Sequence, residues 1–265
     1  MKKTLKIIGI ILSVILAIMI IIPMLFKGEI EELIKEETNK RVNATIDFKD
    51  IGLNLFTNFP NLSLSINELS IVNAKPFEGD TLLSAKSLGA TIDLMSLITS
   101  EKIKIKSVSF DKPHLLMFVL KEGIANYSIM KESAEVVKDA AEAIKDTTES
   151  SFNIALESYS MNNGMIAFID KRKDMIVALK NVNHHGSGEF SQDDFIIYTK
   201  TTVDELTYEY GGVKYLNRVN SDLNMELHAN IPSFKFTLNN NQLRLNNLFL
   251  KFDGSIAMPD EDLDL

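Results

Sequence analysis

Few residues in this chain have the chemistry and spacing to form a reactive site. His184 and His185 are adjacent in Asn183-His184-His185-Gly186-Ser187-Gly188, with Asp170 and Asp174 upstream. Two imidazoles, two carboxylates and a hydroxyl are the raw material of a metal site or of a base-assisted nucleophile. Neither assembles on this pattern. Adjacent residues of an extended chain point to opposite faces, so a His-His pair brings one imidazole at most to any one side. A metal needs three or four converging ligands. Ser187 lacks the strand-turn-helix setting of a nucleophile, and no phosphate-binding loop or dinucleotide fingerprint occurs. The stretch reads as a polar turn between strands. With no cysteine among 265 residues there is no thiolate zinc site, disulfide framework or cysteine nucleophile. The expectation is a protein that is not an enzyme and carries no metal or cofactor.

The formal charge is −8, from 28 Lys and Arg against 36 Asp and Glu, and basic residues cluster only at the N-terminus. Phosphate backbones are bound by clustered basic faces, so nucleic acid is not an expected partner.

A membrane is. Ile7 to Phe26 reads IIGIILSVILAIMIIIPMLF, without a charge and apolar all round. About 20 such residues cross a hydrocarbon core roughly 30 Å thick. The run is longer than the apolar region of a cleavable signal peptide and ends in the bulky Met24, Leu25 and Phe26, so the sequence predicts a retained anchor. Lys2, Lys3 and Lys6 precede it, whereas Glu29, Glu31 and Glu32 follow Lys27. The positive-inside rule then predicts a cytoplasmic N-terminus and a body across the membrane.

The elements of the body follow from periodicity. Glu29 to Val42 has Ile30, Leu33 and Ile34 at helical spacing, predicting a short amphipathic helix. It is expected to lie near the membrane surface, to plug the start of the following sheet, or to be a plain packing helix. From Thr45 the period becomes two. Ile46 and Phe48 come first, then Ile51, Leu53 and Leu55, and, after Asn58-Phe59-Pro60-Asn61, Leu62, Leu64 and Ile66. Leu88, Ala90 and Ile92 alternate similarly, as do Ile103, Ile105, Val108 and Phe110 before Pro113, with a short helical turn predicted over Leu94 to Ile98. Lys131 to Ser150, rich in Ala, Glu, Lys and Asp, reads as a solvated helix or mobile insertion.

Alternation resumes at Phe152, Ile154 and Leu156, and at Met165, Ala167 and Ile169 after an expected Asn162-Asn163-Gly164 turn. It continues at Met175, Val177 and Leu179, at Leu223, Met225 and Leu227, and at Phe234, Phe236 and Leu238. After an expected Asn239-Asn240-Asn241 turn come Leu243 and Leu245, then Leu248, Leu250 and Phe252. Short half-buried strands with frequent turns predict a mainly β protein. The connections look too short and polar for parallel crossovers, so the expected sheet is antiparallel. An open curled sheet and a closed sandwich would share this alternation. The pattern runs close to Asp260-Glu261-Asp262-Leu263-Asp264-Leu265 without an element that would cap a sheet edge, an expectation of a fragment or of an edge met by a partner.

This layout resembles the AsmA-like family of Gram-negative envelope proteins, relatives of TamB. The resemblance lies in the N-terminal anchor, Val42-Asn43-Ala44-Thr45-Ile46-Asp47-Phe48 and Asn58-Phe59-Pro60-Asn61-Leu62-Ser63-Leu64. It extends through Phe77-Glu78-Gly79-Asp80-Thr81-Leu82 and Asp93-Leu94-Met95-Ser96-Leu97-Ile98. A further element joins Asp111-Lys112-Pro113 to Glu122-Gly123-Ile124-Ala125-Asn126-Tyr127. The resemblance implies an elongated, curled antiparallel sheet whose open apolar groove shelters phospholipid acyl chains. It also implies an inner-membrane anchor, a periplasmic body and a part in lipid transport towards the outer membrane. Candidate groove-lining residues are Ile46, Phe48, Leu62, Leu64, Ile66, Ile103, Ile105, Phe234, Phe236 and Leu250. Roughly a dozen strands about 4.8 Å apart would give a groove on the order of 60 Å. The expected organisation is an anchor over 1–27, a first groove section with its leading helix over 28–130, the insertion over 131–150 and a second section over 151–265. The competing expectation is a membrane-tethered scaffold that binds envelope protein partners through an open sheet edge.

Overall fold

The computed structural model describes residues 21, 25, 27–29, 31–99, 103–131, 152–153, 156–190 and 193–257. Most of the predicted anchor and nearly all of the predicted insertion lie outside these residues. Among the described residues, no helix is long and apolar enough to cross a membrane.

The described residues are mainly β, with thirteen strands in one mixed, curled sheet. Helix α1 (31–41) leads into β1 (Ala44–Asp47), β2 (Asp50–Asn54), β3 (Asn61–Asn73) and β4 (Thr81–Asp93). Then come α2 (Leu94–Thr99), β5 (Ile103–Asp111), β6 (His114–Val119) and β7 (Phe152–Asn153). The rest is strand after strand: β8 (Ser158–Asp170), β9 (Met175–Gly188), β10 (Asp194–Tyr210), β11 (Val213–Asn230), β12 (Lys235–Leu245) and β13 (Leu248–Ala257).

The strands occupy ten positions in the order β1-β3-β4-β5-β8-β9-β10-β11-β12-β13. Three of these positions hold broken strands. β1 and β2 both pair with β3, β5 and β6 both pair with β8, and β7 and β8 both pair with β5. The sheet is therefore about 43 Å wide along its surface, nine strand spacings, and not the 60 Å expected from counting segments.

The expectation of an antiparallel sheet is corrected at one seam. β5 and β6 run parallel to β8, and β7 runs parallel to β5. The physical reason is connection length: the chain between β6 and β8 is long enough to return to the starting end of the sheet, which a hairpin cannot do.

A line of left-handed residues explains how the strands bend. Glu68 (φ 52°), Lys112 (φ 49°), Asn163 (φ 54°), Asn181 (φ 52°) and Arg218 (φ 51°) fall near one level of successive strands. Around them the ladders break register, between Met161 and Gly164 and between Val203 and Leu206. Each break adds residues on one strand, bends it and steepens its twist. Because a bulge also restores phase, Ile66 before the crease and Leu69 after it belong to the same buried cluster. Two expected turns are corrected here. Asn162-Asn163-Gly164 and Asn239-Asn240-Asn241 are bulges inside β8 and β12. Asn tolerates the left-handed conformation in either setting, so its sequence signal is the same for both.

The best-buried cluster sits where α1 covers the first strands. Phe48, Ile51, Ile66, Leu69 and Ala85 form it, with Ile34 of α1 packed against them. Asn39 accepts from the Ile46 N–H (2.8 Å) and donates to the Ile46 carbonyl (3.1 Å), mimicking a neighbouring strand along the β1 edge. Of the expected roles for this helix, the described contacts fit the plug and the plain packing helix alike. Next to it, the segment after β6 folds back over the sheet end: Asn126, 2% exposed, accepts from the Phe118 N–H (2.7 Å) and donates to the Leu116 carbonyl (2.8 Å). Asp170, also 2% exposed, is held by Arg172 through Nε (3.1 Å) and Nη2 (2.8 Å), which keeps its carboxyl down at about 2.

Candidate functional site: the apolar face of the sheet

Register decides which side chains share a face, because residues directly opposite in a ladder project to the same side. Starting from β2, Ile51 faces Ile66, Ile66 faces Leu88, and Leu88 faces Phe110. Across the parallel seam Phe110 faces Met161, which faces His184. The row continues through Thr201, Leu223, Leu243 and Leu250. It spans all ten strand positions and is apolar except at His184 and Thr201, whose Nδ1 and Oγ1 lie 2.7 Å apart.

The next row runs through Leu53, Leu64, Ala90, Val108, Tyr159, Gly186, Thr199 and Met225. Gly186 is required there: a Cβ on it would stand 2.3 Å from the Tyr159 ring, which lies over the glycine. Tyr159 also packs on His184 (5.3 Å between centroids) and Phe190 (5.9 Å). Burial lowers the His184 pKa, with a smaller contribution from His185, and burial raises that of Tyr159.

The opposite face is polar at the same levels. Ser65, Gly89, Ser109, Ser160, His185, Lys200, Asn224, Gln242 and Lys251 make up one row. His184 and His185 thus lie on opposite faces of β9, and the expectation of a loop there is corrected: both are strand residues. Among the described residues, no group of three or more His, Asp or Glu is placed to hold a metal.

Among the described residues, no strand backbone comes within 8 Å of a strand that is not its ladder neighbour. Beyond the end that α1 covers, the inward side chains Leu88, Val108, Leu223 and Leu243 stay half-buried. The face runs from closed at β1–β3 to exposed at β13, where Leu250 is 41% and Leu248 55% exposed, with Thr199, Val203, Ser221, Ala229 and Asn241 still buried between them.

The residues singled out from sequence divide along this gradient. Phe48 and Ile66 are buried under α1, with Ile46 and Leu64 packed beside them. Leu62 and Ile105 both face Ile92, and Ile103 opens β5 opposite Phe152. Phe236 faces Ala229 and Ile256, and Leu250 faces Leu243. Phe234 departs from expectation: it sits in the 231–234 turn at φ 43° and belongs to no strand. Sequence reasoning did not single out Leu88, Phe110, Met161, Leu223 and Leu243, which carry the row, although all but Met161 occupied an alternating run. It also missed β10 altogether, because Phe195-Ile196-Ile197-Tyr198 is apolar on both faces and hides the period of two.

No curated protein matches the chain. The AsmA family model matches residues 1–246, most of the chain and all but the last strand of the sheet, and the protein belongs to the AsmA family.

Proposed function

We propose that this protein is an inner-membrane-anchored, periplasmic lipid carrier whose apolar face is an open groove for phospholipid acyl chains. In this reading it takes part in moving phospholipid towards the outer membrane, and it is not an enzyme. The observation that carries the reading is the unbroken row from Ile51 to Leu250, with a polar row back to back with it. The part of this row left half-buried or exposed, from Met161 to Leu250, is costly in water and marks a binding surface for something apolar. Family membership supports an envelope role, and the charge-free segment at Ile7 to Phe26 supplies the anchor.

The test places a photo-crosslinking residue at Leu223, on the apolar row, or at Asn224, on the polar one, in the full chain in cell membranes. Lipid adducts at Leu223 with few at Asn224 are expected. Folded protein without lipid adducts at Leu223 would overturn the groove.

One observation favours a second reading. β13 presents Leu248, Phe249, Leu250, Phe252 and Ile256 at 36–55% exposure along an edge unpaired among the described residues, where a strand from an envelope protein partner could add. Protein adducts at Phe249 in place of lipid at Leu223 would select that scaffold role.

A further inference from the structure

Two buried side-chain polar atoms among the described residues lack a hydrogen-bond partner, Thr199 Oγ1 and Asn241 Nδ2. Both lie on the apolar face, and register places them on either side of Met225: Thr199 faces Met225, and Asn241 stands in the β12 bulge beside it. Thr199 is 8% and Asn241 0% exposed. The Asn241 amide orientation is fixed, because its Oδ1 accepts from the Glu226 N–H at 2.8 Å, so the orphaned atom is a donor. Leaving a buried donor unmade is expensive, and such atoms are normally met by water or a ligand.

We propose that these two groups form a polar station in the groove, which binds the ester carbonyl oxygens of a glycerolipid; the proposal rests on the acyl-groove reading above. The chemistry selects the ligand atom. No charged residue stands in either apolar row, so a phosphate or carboxylate would be desolvated without a counter-ion. A neutral acceptor is what two donors in an apolar wall can satisfy. Their strands are two spacings apart, about 10 Å, with Met225 on the strand between them, so a group carrying two acceptors could meet both once that side chain moves. From Thr199 the same row runs on through Gly186, Tyr159 and Val108 to Ala90, four strand steps or about 19 Å. That exceeds the roughly 15 Å depth of one leaflet's chains, half of a hydrocarbon core about 30 Å thick. Both atoms are shut off from solvent, and Met225, a flexible thioether between them, is the side chain that has to move for a lipid to reach them.

The experiment is a competition, read by mass spectrometry of the purified full chain, between diacyl phosphatidylethanolamine and its dialkyl ether analogue with equal chains. The two differ in the ester carbonyls. The wild type should favour the diacyl lipid roughly fivefold, the worth of one net hydrogen bond. Thr199→Val with Asn241→Leu should bind both lipids equally, with diacyl occupancy falling to the level of the ether analogue. Equal binding of both by the wild type overturns the station while leaving the groove intact, as does a preference that survives in the double variant. Binding of neither lipid overturns the groove itself and the station with it. Should the double variant not fold, Thr199→Val alone against Thr199→Ser gives the same comparison, with the preference expected only where the hydroxyl remains.

Discussion

His184 and Thr201 face each other across the β9–β10 ladder with Nδ1 and Oγ1 2.7 Å apart, a polar pair in the middle of an apolar row ten residues long. Paired, the two groups satisfy each other; separated, each would be a half-buried polar group on an apolar wall. The pair thus tolerates its position only while His184 stays neutral.

That neutrality has a pH signature. Burial lowers the His184 pKa in the folded chain below its ordinary value of 6.5. The unfolded chain therefore takes up a proton first as pH falls, so His184 contributes stability above about 6.5 that is lost as pH drops through the lowered folded value. The melting temperature should fall between pH 7.5 and 5.5, and His184→Gln should flatten that part of the profile. An unchanged slope in the variant would remove His184 as the cause.

The crease makes a backbone prediction. Asn163 is exposed, at φ 54°, and its side chain has no described hydrogen bond that a substitution would remove. An L-residue in this region costs about 1–2 kcal/mol, more when β-branched, and glycine escapes the cost. Asn163→Val should destabilise by at least that amount in urea unfolding, and Asn163→Gly should be neutral or stabilising. Equal destabilisation by both would mean that the bulge is held by side-chain contacts instead.

The segment folded over the β6 edge depends on Asn126. Its amide satisfies the Phe118 N–H and the Leu116 carbonyl, and it lies 2% exposed. Asn126→Leu keeps the volume but strands both backbone groups, at about 1–3 kcal/mol each. A loss of roughly 2–6 kcal/mol is expected in chemical denaturation. Wild-type stability in this variant would mean that another group or water takes over both bonds.

How much of this was legible in the sequence depended on whether a strand has one wet face. Leu62-Ser63-Leu64-Ser65-Ile66 announces β3 because one face is apolar and the other hydroxylic. Phe195 to Tyr198 gives no such contrast, so β10, among the longest strands, left no readable period. The polar row hid β9 differently: Asn183-His184-His185-Gly186-Ser187-Gly188 looks like a turn, because its inward positions are filled by a hydrogen-bonded histidine and by a glycine covered by Tyr159. The parallel seam at β5 and β8 was illegible in principle, since alternation says which face a residue takes and nothing about the direction of its neighbour. The lining residues suffered from the same limit. Without register, Leu88 and Leu223 were two leucines in separate strands, not members of one row.

A carboxylate placed at two points of that row should separate core from groove. Ile66 is 8% exposed and packed in the cluster that α1 covers, whereas Leu243 is half-buried on the uncovered part of the same row. An unpaired charge in a closed apolar setting costs several kcal/mol, so Ile66→Asp should unfold the sheet or lower its melting temperature sharply. At Leu243 a carboxylate retains contact with water when no lipid is bound, so Leu243→Asp should fold with little loss. Bound lipid would remove that water, and the same charge should then lower lipid occupancy strongly. Gln242→Asp, one residue away on the polar face, should alter neither property. The measurement is lipid released from purified, folded variants, with the melting temperature of each as control. Were Leu243→Asp to unfold like Ile66→Asp, this part of the row would be closed core. Were it to fold and keep its lipid, the lipid would lie elsewhere on the molecule.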